Sequence, residues 1–275
     1  MGLPPLTAGQ FVEAAGIRTF YLRAGHGPAV LLIHGAGPGA CAQVVWKPTI
    51  QPLAEAGFAV YAYDQPGFGH SASPADHGME FRVTHARAVI AALGLGRVHL
   101  VGSSMGAYIA ARLALEEPRA GRLVLVASST LAPAGSEAAA TRARAHAQEL
   151  RDFAPSREAI RTLTLSTVFN QALVTDELVE ERLAMSLGPR QEAHAMRRQA
   201  GRPRPLDSEL ARLATPTLIV WGRNDAGAAV ERAPLLQALI PGSELHVFDR
   251  AGHWVQWDQA ARFVTLVAGF LRENS

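Results

Sequence analysis

A series of short, continuous apolar runs constrains this chain more than any other feature. Residues 29–33 (AVLLI), 58–63 (FAVYAY), 98–101 (VHLV), 123–126 (LVLV), 217–221 (TLIVW) and 245–248 (LHVF) are each long enough for one strand and too short for a helix. They do not alternate with polar residues, so each reads as a strand buried on both faces. An earlier strand is predicted over 17–23. Helical patterns at 48–56, 80–93, 107–116 and 260–271 separate or follow the strands, several of them stopped by Gly57, Gly94 or Pro118. Strand–helix alternation predicts an α/β fold with a mostly parallel sheet and helices on both faces. The pattern breaks over 132–210, which is rich in Ala, Arg and Glu with helical spacing and no strand. The expected organisation is a core of 1–131 and 211–275 with a helical cap, 132–210, inserted into it.

Bulk properties narrow the class. The 275 residues, 48% of them hydrophobic, suffice for one α/β domain with an insertion. No apolar run approaches the ~20 residues that span a bilayer. The net charge is +2, and the basic residues interleave with acidic ones rather than forming a stripe, which argues against a nucleic-acid partner. A single cysteine, Cys41, excludes an intramolecular disulfide and a multi-cysteine metal site. Residues 1–10 lack the basic start and apolar core of a secretory signal, so a cytoplasmic protein is expected.

Chemistry concentrates at strand ends. Gly102-Ser103-Ser104-Met105-Gly106 matches G-x-S-x-G between a buried strand and a helix, the setting in which a strained turn projects the central serine. Ser104 is the predicted nucleophile, and Ser103, one position early, should point elsewhere. A serine hydroxyl needs a base. His253, in the loop after the last strand, is the candidate among ten histidines; His34 and His99 read as structural. Asp225, after 217–221, completes the order Ser…Asp…His and would hold the imidazole tautomer. Asp249 reads as a solvated turn residue and Asp64 as a loop fastener. The oxyanion donors are expected to be the N–H groups of Met105 and Ala36. The Gly-rich loop 34–39 has no Gly-Lys-Ser/Thr ending and no G-x-G-x-x-G, which argues against nucleotide binding.

Segments 34–40 (HGAGPGA), 64–71 (DQPGFGHS), the Ser104 elbow, 221–225 (WGRND) and 245–257 together resemble the meta-cleavage product hydrolases of the α/β-hydrolase superfamily. The resemblance runs through nearly the whole chain and is weakest in the cap. It implies hydrolysis of a carbon–carbon bond in a small 2-hydroxy-6-oxo-dienoate, without metal or organic cofactor, and a homodimer or higher homo-oligomer is the expected assembly. It also implies a cap arginine and a tryptophan at the substrate carboxylate, here Arg182 and Trp254. Ser103 stands where the family often has Asn and can still donate a hydrogen bond, so it is kept as a substrate contact. Val45 replaces another frequent Asn, and both changes reduce amide hydrogen bonding near the dienoate end. A carboxylesterase or lactonase on the same triad is the enzyme alternative, and a catalytically idle receptor is the alternative from another class.

Overall fold

The computed structural model describes residues 9–273 except 202; residues 1–8, part of the stretch read for a signal, lie outside it. Eight strands form one sheet in the order β1-β2-β4-β3-β5-β6-β7-β8. They are β1 (Gln10–Ala14), β2 (Ile17–Ala24), β3 (Ala29–Ile33), β4 (Ala59–Tyr63), β5 (Val98–Ser103), β6 (Ala120–Val126), β7 (Thr217–Gly222) and β8 (Glu244–Phe248). β1 and β2, and β2 and β4, pair antiparallel; the remaining neighbours are parallel. The apolar runs become the central strands because nothing polar would face water there: every residue of β5 and β7 is buried.

Outside the insertion the helices are α1 (Ala42–Glu55), α2 (Met79–Ala92), α3 (Met105–Glu116), α9 (Arg232–Leu239), α10 (Val255–Asp258) and α11 (Ala260–Arg272). α3 is buried from Met105 through Leu113, as a mostly apolar helix must be, with the one charged residue of that stretch, Arg112, paired to Glu80 and Glu116. α11 buries Phe263, Val264, Val267 and Leu271 at helical spacing and packs on α1.

The sequence reading lacks α9 and α10, and two further elements, β1 and α1, differ from it. β1 is absent from it because its alternation is weak and its hairpin turn is Ala15-Gly16, with φ of 50° and 74°, a geometry usually signalled by Asn-Gly or Asp-Gly. α1 begins at Ala42 rather than at 48. Pro48 suits a first helical turn, but here it lies inside the helix and cannot donate to the Val44 carbonyl. The indole Nε1 of Trp257 donates to that carbonyl instead, at 3.0 Å, so a distant segment satisfies the group that the proline leaves open.

Between β6 and β7 lie α4 (Glu137–Arg151), α5 (Arg157–Thr167), α6 (Asp176–Ala184), α7 (Pro189–Gln199) and α8 (Asp207–Leu210), all within the predicted insertion. Ser156 and Thr175 cap α5 and α6 by accepting from Ala159 N and Leu178 N. Specific bonds tie the insertion to loops at the carboxyl ends of the strands. Trp254 N–H donates to Thr167 O at 3.1 Å, and Phe169 and Asn170 N–H donate to the Asp258 carboxylate. No helix among the described residues is long and apolar enough to cross a membrane.

α3 passes so close to the loop after β3 that a Cβ on Gly106 would meet the Ile33 and His34 carbonyls. Gly106→Ala should therefore lower stability by about 1–3 kcal/mol, the range for overpacking, read as a drop in the urea midpoint. An unchanged midpoint would contradict that close approach.

Candidate active site

Ser104 joins the end of β5 to the start of α3 with φ 56° and ψ −119°. A non-glycine residue in such a conformation costs about 1–3 kcal/mol and persists only where its surroundings impose it. Ser104 N–H donates to Val126 O at 2.8 Å, and Ser128 Oγ donates to Ser104 O at 2.8 Å. Gly35 passes so near that a Cβ on it would lie 3.0 Å from Ser104 Cβ. The two serines are thereby distinguished. Ser103 is only 1% exposed and pairs in register with Val126, whereas Ser104 is partly open.

His253 and Asp225 are joined: His253 Nδ1 lies 2.7 Å from Asp225 Oδ2. The other carboxylate oxygen accepts from Gly227 N at 2.9 Å and Ala228 N at 2.7 Å, so the acid is immobilised through both oxygens. The loops that carry the pair are stitched together, Asn224 N–H donating to Ala251 O at 2.9 Å. With Nδ1–H donated to the carboxylate, the ring presents Nε2 as an acceptor, the form a general base requires. Burial opposes protonation of His253, but the Asp225 charge and hydrogen bond outweigh it and raise its pKa above the ordinary histidine value. Among the described residues no hydrogen bond joins Ser104 Oγ to the His253 ring; such bonds are often long before substrate arrives. Asp249 is exposed and pairs with Arg223, away from the imidazole.

Met105 is the first residue of α3, where an N–H has no partner within the helix. The Ala36 loop is held by two groups that the sequence reading treats as structural. His34, wholly buried, donates from Nδ1 to Gly35 O at 2.6 Å and accepts from Gln65 N at 3.0 Å. Burial lowers its pKa to about 4, so it stays neutral in one tautomer. Asp64 accepts from Ala42 N at 2.7 Å and His70 N at 2.8 Å. His99 likewise accepts from Arg122 N at 3.0 Å, a structural role.

Arg182, on α6, is only 2% exposed. Its Nη1 donates to Thr164 Oγ1 and its Nη2 to Pro38 O, both at 2.9 Å. The guanidinium carbon lies 4.7 Å from the Trp254 ring centroid. No carboxylate is among these partners, and Nε has none. Burial lowers its pKa to about 10. The neighbouring acids go elsewhere: Glu177 and Glu181 to Lys47, and Glu180 to Arg157. Val45 is buried in α1. Its carbonyl accepts from Gln256 Nε2 at 3.4 Å, and the Gln256 Oε1 is buried without a partner. Gln256 thus brings an amide beside the position where the family pattern has Asn. Neither Gln256 nor Thr164 is singled out by sequence, because their neighbours come from distant segments. Among the described residues no cluster of three or more His, Cys, Asp or Glu could hold a metal.

The profile of the alpha/beta hydrolase fold family matches residues 28–260. A 2-hydroxymuconate semialdehyde hydrolase of Pseudomonas sp. (strain CF600) is 36% identical, covering 96% of this chain and 94% of its own. A 2-hydroxy-6-oxononadienedioate/2-hydroxy-6-oxononatrienedioate hydrolase of Burkholderia vietnamiensis is 34% identical, covering 94% and 93%. The solved meta-cleavage product hydrolase of Pseudomonas fluorescens IP01, crystallised with acetates, superposes with TM-score 0.85 at 32% identity, covering 95% of this chain and 97% of that one. The chain belongs to the α/β-hydrolase fold family and, within it, to the meta-cleavage product hydrolases.

A base whose pKa is raised must lose its proton at a higher pH to act. The pH profile of kcat/KM should therefore rise through a limb above the ordinary ~6.5 of histidine. Asp225→Asn removes the charge that raises His253 and leaves burial acting alone. The limb should move to lower pH while kcat falls by a factor on the order of 10⁴. A limb that stays in place, or full activity in Asp225→Asn, would contradict the pairing.

Proposed function

We propose that Ser104, His253 and Asp225 form a catalytic triad that hydrolyses a carbon–carbon bond in a 2-hydroxy-6-oxo-dienoate. In this reading 132–210 is the cap that closes over the site. The observation that carries the substrate class is Arg182, a buried guanidinium stacked on Trp254 with no carboxylate of the protein against it. A desolvated cation of this kind is balanced best by a carboxylate that arrives with the ligand, and guanidinium geometry suits one.

The chemistry follows from the placement. The dienol ketonises, its C2 hydroxyl proton being replaced by one at C5. Ser104 Oγ attacks the C6 ketone as its proton passes to His253 Nε2, and Asp225 stabilises the imidazolium. The Ala36 and Met105 N–H groups receive the oxyanion. When the tetrahedral carbon collapses, the C5–C6 bond breaks. Its electron pair passes along the conjugated chain to the C2 oxygen, which takes the proton from His253 and leaves as a dienol acid. Water, activated by His253, then hydrolyses the acyl-Ser104 to a carboxylic acid. In this reading Ser103 and Gln256 supply hydrogen bonds at the dienoate end. The carboxylesterase or lactonase alternative uses the same triad and oxyanion donors, and is favoured by Val45 in place of an amide.

Two measurements separate these readings. A fluorophosphonate should label one serine, and peptide mapping should find Ser104; labelling at Ser103 would contradict the elbow assignment. Arg182→Gln should lose more on a dienoate than on p-nitrophenyl acetate, which has no carboxylate to pair. Removing one partner of a buried charge pair costs about 2–5 kcal/mol, so kcat/KM on the dienoate should fall by roughly 10¹·⁵ to 10³·⁵. Equal losses on both substrates would point to a general defect. A wild type that hydrolyses the ester and never the dienoate would establish the ester reading.

A further inference from the structure

The loop that carries His253 and the inserted segment meet on one carboxylate. Asp258, at the end of α10, accepts from three backbone N–H groups that come from two parts of the chain. Its Oδ1 receives Phe169 N–H at 3.1 Å and Asn170 N–H at 2.8 Å. Its Oδ2 receives Phe169 N–H at 2.9 Å and Gly252 N–H at 2.8 Å. Phe169 and Asn170 follow α5 in the insertion, and Gly252 directly precedes His253. Only a carboxylate accepts on both oxygens at once, and hydrogen bonds to a charged acceptor are roughly twice as strong as neutral ones. An asparagine at this position would turn an amide nitrogen toward one of the backbone N–H groups.

Further contacts lie along the same seam. Trp254 N–H donates to Thr167 O at 3.1 Å, and the Arg250 guanidinium carbon lies 5.5 Å from the Phe169 ring centroid. The backbone at Gly252 runs so close to the insertion that a Cβ there would lie 2.7 Å from Thr167 O and 3.1 Å from Phe169 N. On its other side the same loop is bound to the one that carries the acid. Asn224 N–H donates to Ala251 O at 2.9 Å, and a Cβ on Gly222 would lie 2.1 Å from Gly252 O. Within the loop Arg250 has φ 54°, a conformation that a non-glycine residue keeps only where its surroundings impose it. The irregular segment that presents the base is therefore held from two sides, by the acid's loop and, through Asp258, by the insertion.

We propose that Asp258 is a positioning residue for the catalytic base: it fixes Gly252 against the insertion and thereby sets where the His253 ring sits relative to Asp225 and Ser104. The inference rests on the proposed triad and holds for an ester as well as for a dienoate. It also gives the insertion a part in the chemistry besides covering the site. α5, whose end Asp258 grips, carries Thr164, the residue that accepts from Arg182. The base and the helix that supports Arg182 are thus kept in register by one side chain, so a substrate drawn against Arg182 meets a base already in place.

The test uses Asp258→Asn and Gly252→Ala, the second of which wedges the same seam open while Asp258 keeps its charge. Turnover is counted per fluorophosphonate-reactive serine, so that unfolded protein does not enter it. In both variants kcat on the pH plateau should fall by about ten- to hundredfold with KM within about threefold of wild type, since a misplacement near 1 Å can cost on the order of 10². The fall should be alike on p-nitrophenyl acetate and on any substrate the wild type hydrolyses. The rising limb of the kcat/KM profile should move to lower pH, because a loosened His253 gains less from Asp225. A lower urea midpoint with per-site kcat and limb unchanged would make Asp258 a structural fastener alone and overturn the proposal. A limb that moves without any loss of plateau kcat would show the Asp258 charge acting on the ring directly, and overturns it too. Either variant decides the matter if the other fails to fold. If Asp225→Asn keeps full activity, the triad fails and takes this inference with it; if Asp225→Asn is crippled and Asp258→Asn is not, the inference alone fails.

Discussion

The site depends on one close passage of backbone. β5 must turn into α3 within a single residue, Ser104, while the loop after β3 runs against it. Gly102 and Gly106 allow this because a Cβ on either would collide with backbone, that of α3 for the first and the end of β3 for the second. The strain of a positive φ at Ser104 is offset by a parallel sheet whose neighbouring strand accepts from its N–H. The exposure of Ser104, the start of α3 beneath it and the approach of the Ala36 loop are consequences of that one crossing.

Around it the same residue types are tuned in opposite directions by their surroundings. His34 is wholly buried, and burial together with the nearby charge of Arg82 holds it uncharged as a strut, at a pKa of about 4. His253 is partly buried, but Asp225 raises it and fixes which ring nitrogen carries the proton. The arginines follow a comparable logic. Arg112 is buried against Glu80 and Glu116 and is fully paired, whereas Arg182 bonds only neutral oxygens. A buried cation beside an acid is structural; one beside carbonyls and a hydroxyl keeps capacity for an anionic ligand.

Much of this was legible in the chain because parallel sheets write buried strands as apolar runs and put loops with chemistry at their ends. Ser104, Asp225 and His253 each follow such a run. β1 was not legible because an alanine takes the left-handed turn position, and the start of α1 was masked by Pro48, whose missing donor is replaced from Trp257. Asp258 has no distinguishing mark in the sequence, because helical periodicity carries no information about a contact 88 residues away. Thr164, an ordinary residue within α5, acquires meaning only when Arg182 lies against it.

The central claim is spatial: one substrate should span from Arg182 to the serine elbow. A crystal structure of Ser104→Ala with an uncleaved dienoate tests this most directly. The carboxylate is expected against the Arg182 guanidinium and over Trp254, and the C6 carbonyl carbon above residue 104. Its oxygen should lie within hydrogen-bonding distance of the Ala36 and Met105 N–H groups. A bound dienoate whose carboxylate lies away from Arg182, or whose carbonyl oxygen points away from those two amides, would contradict it.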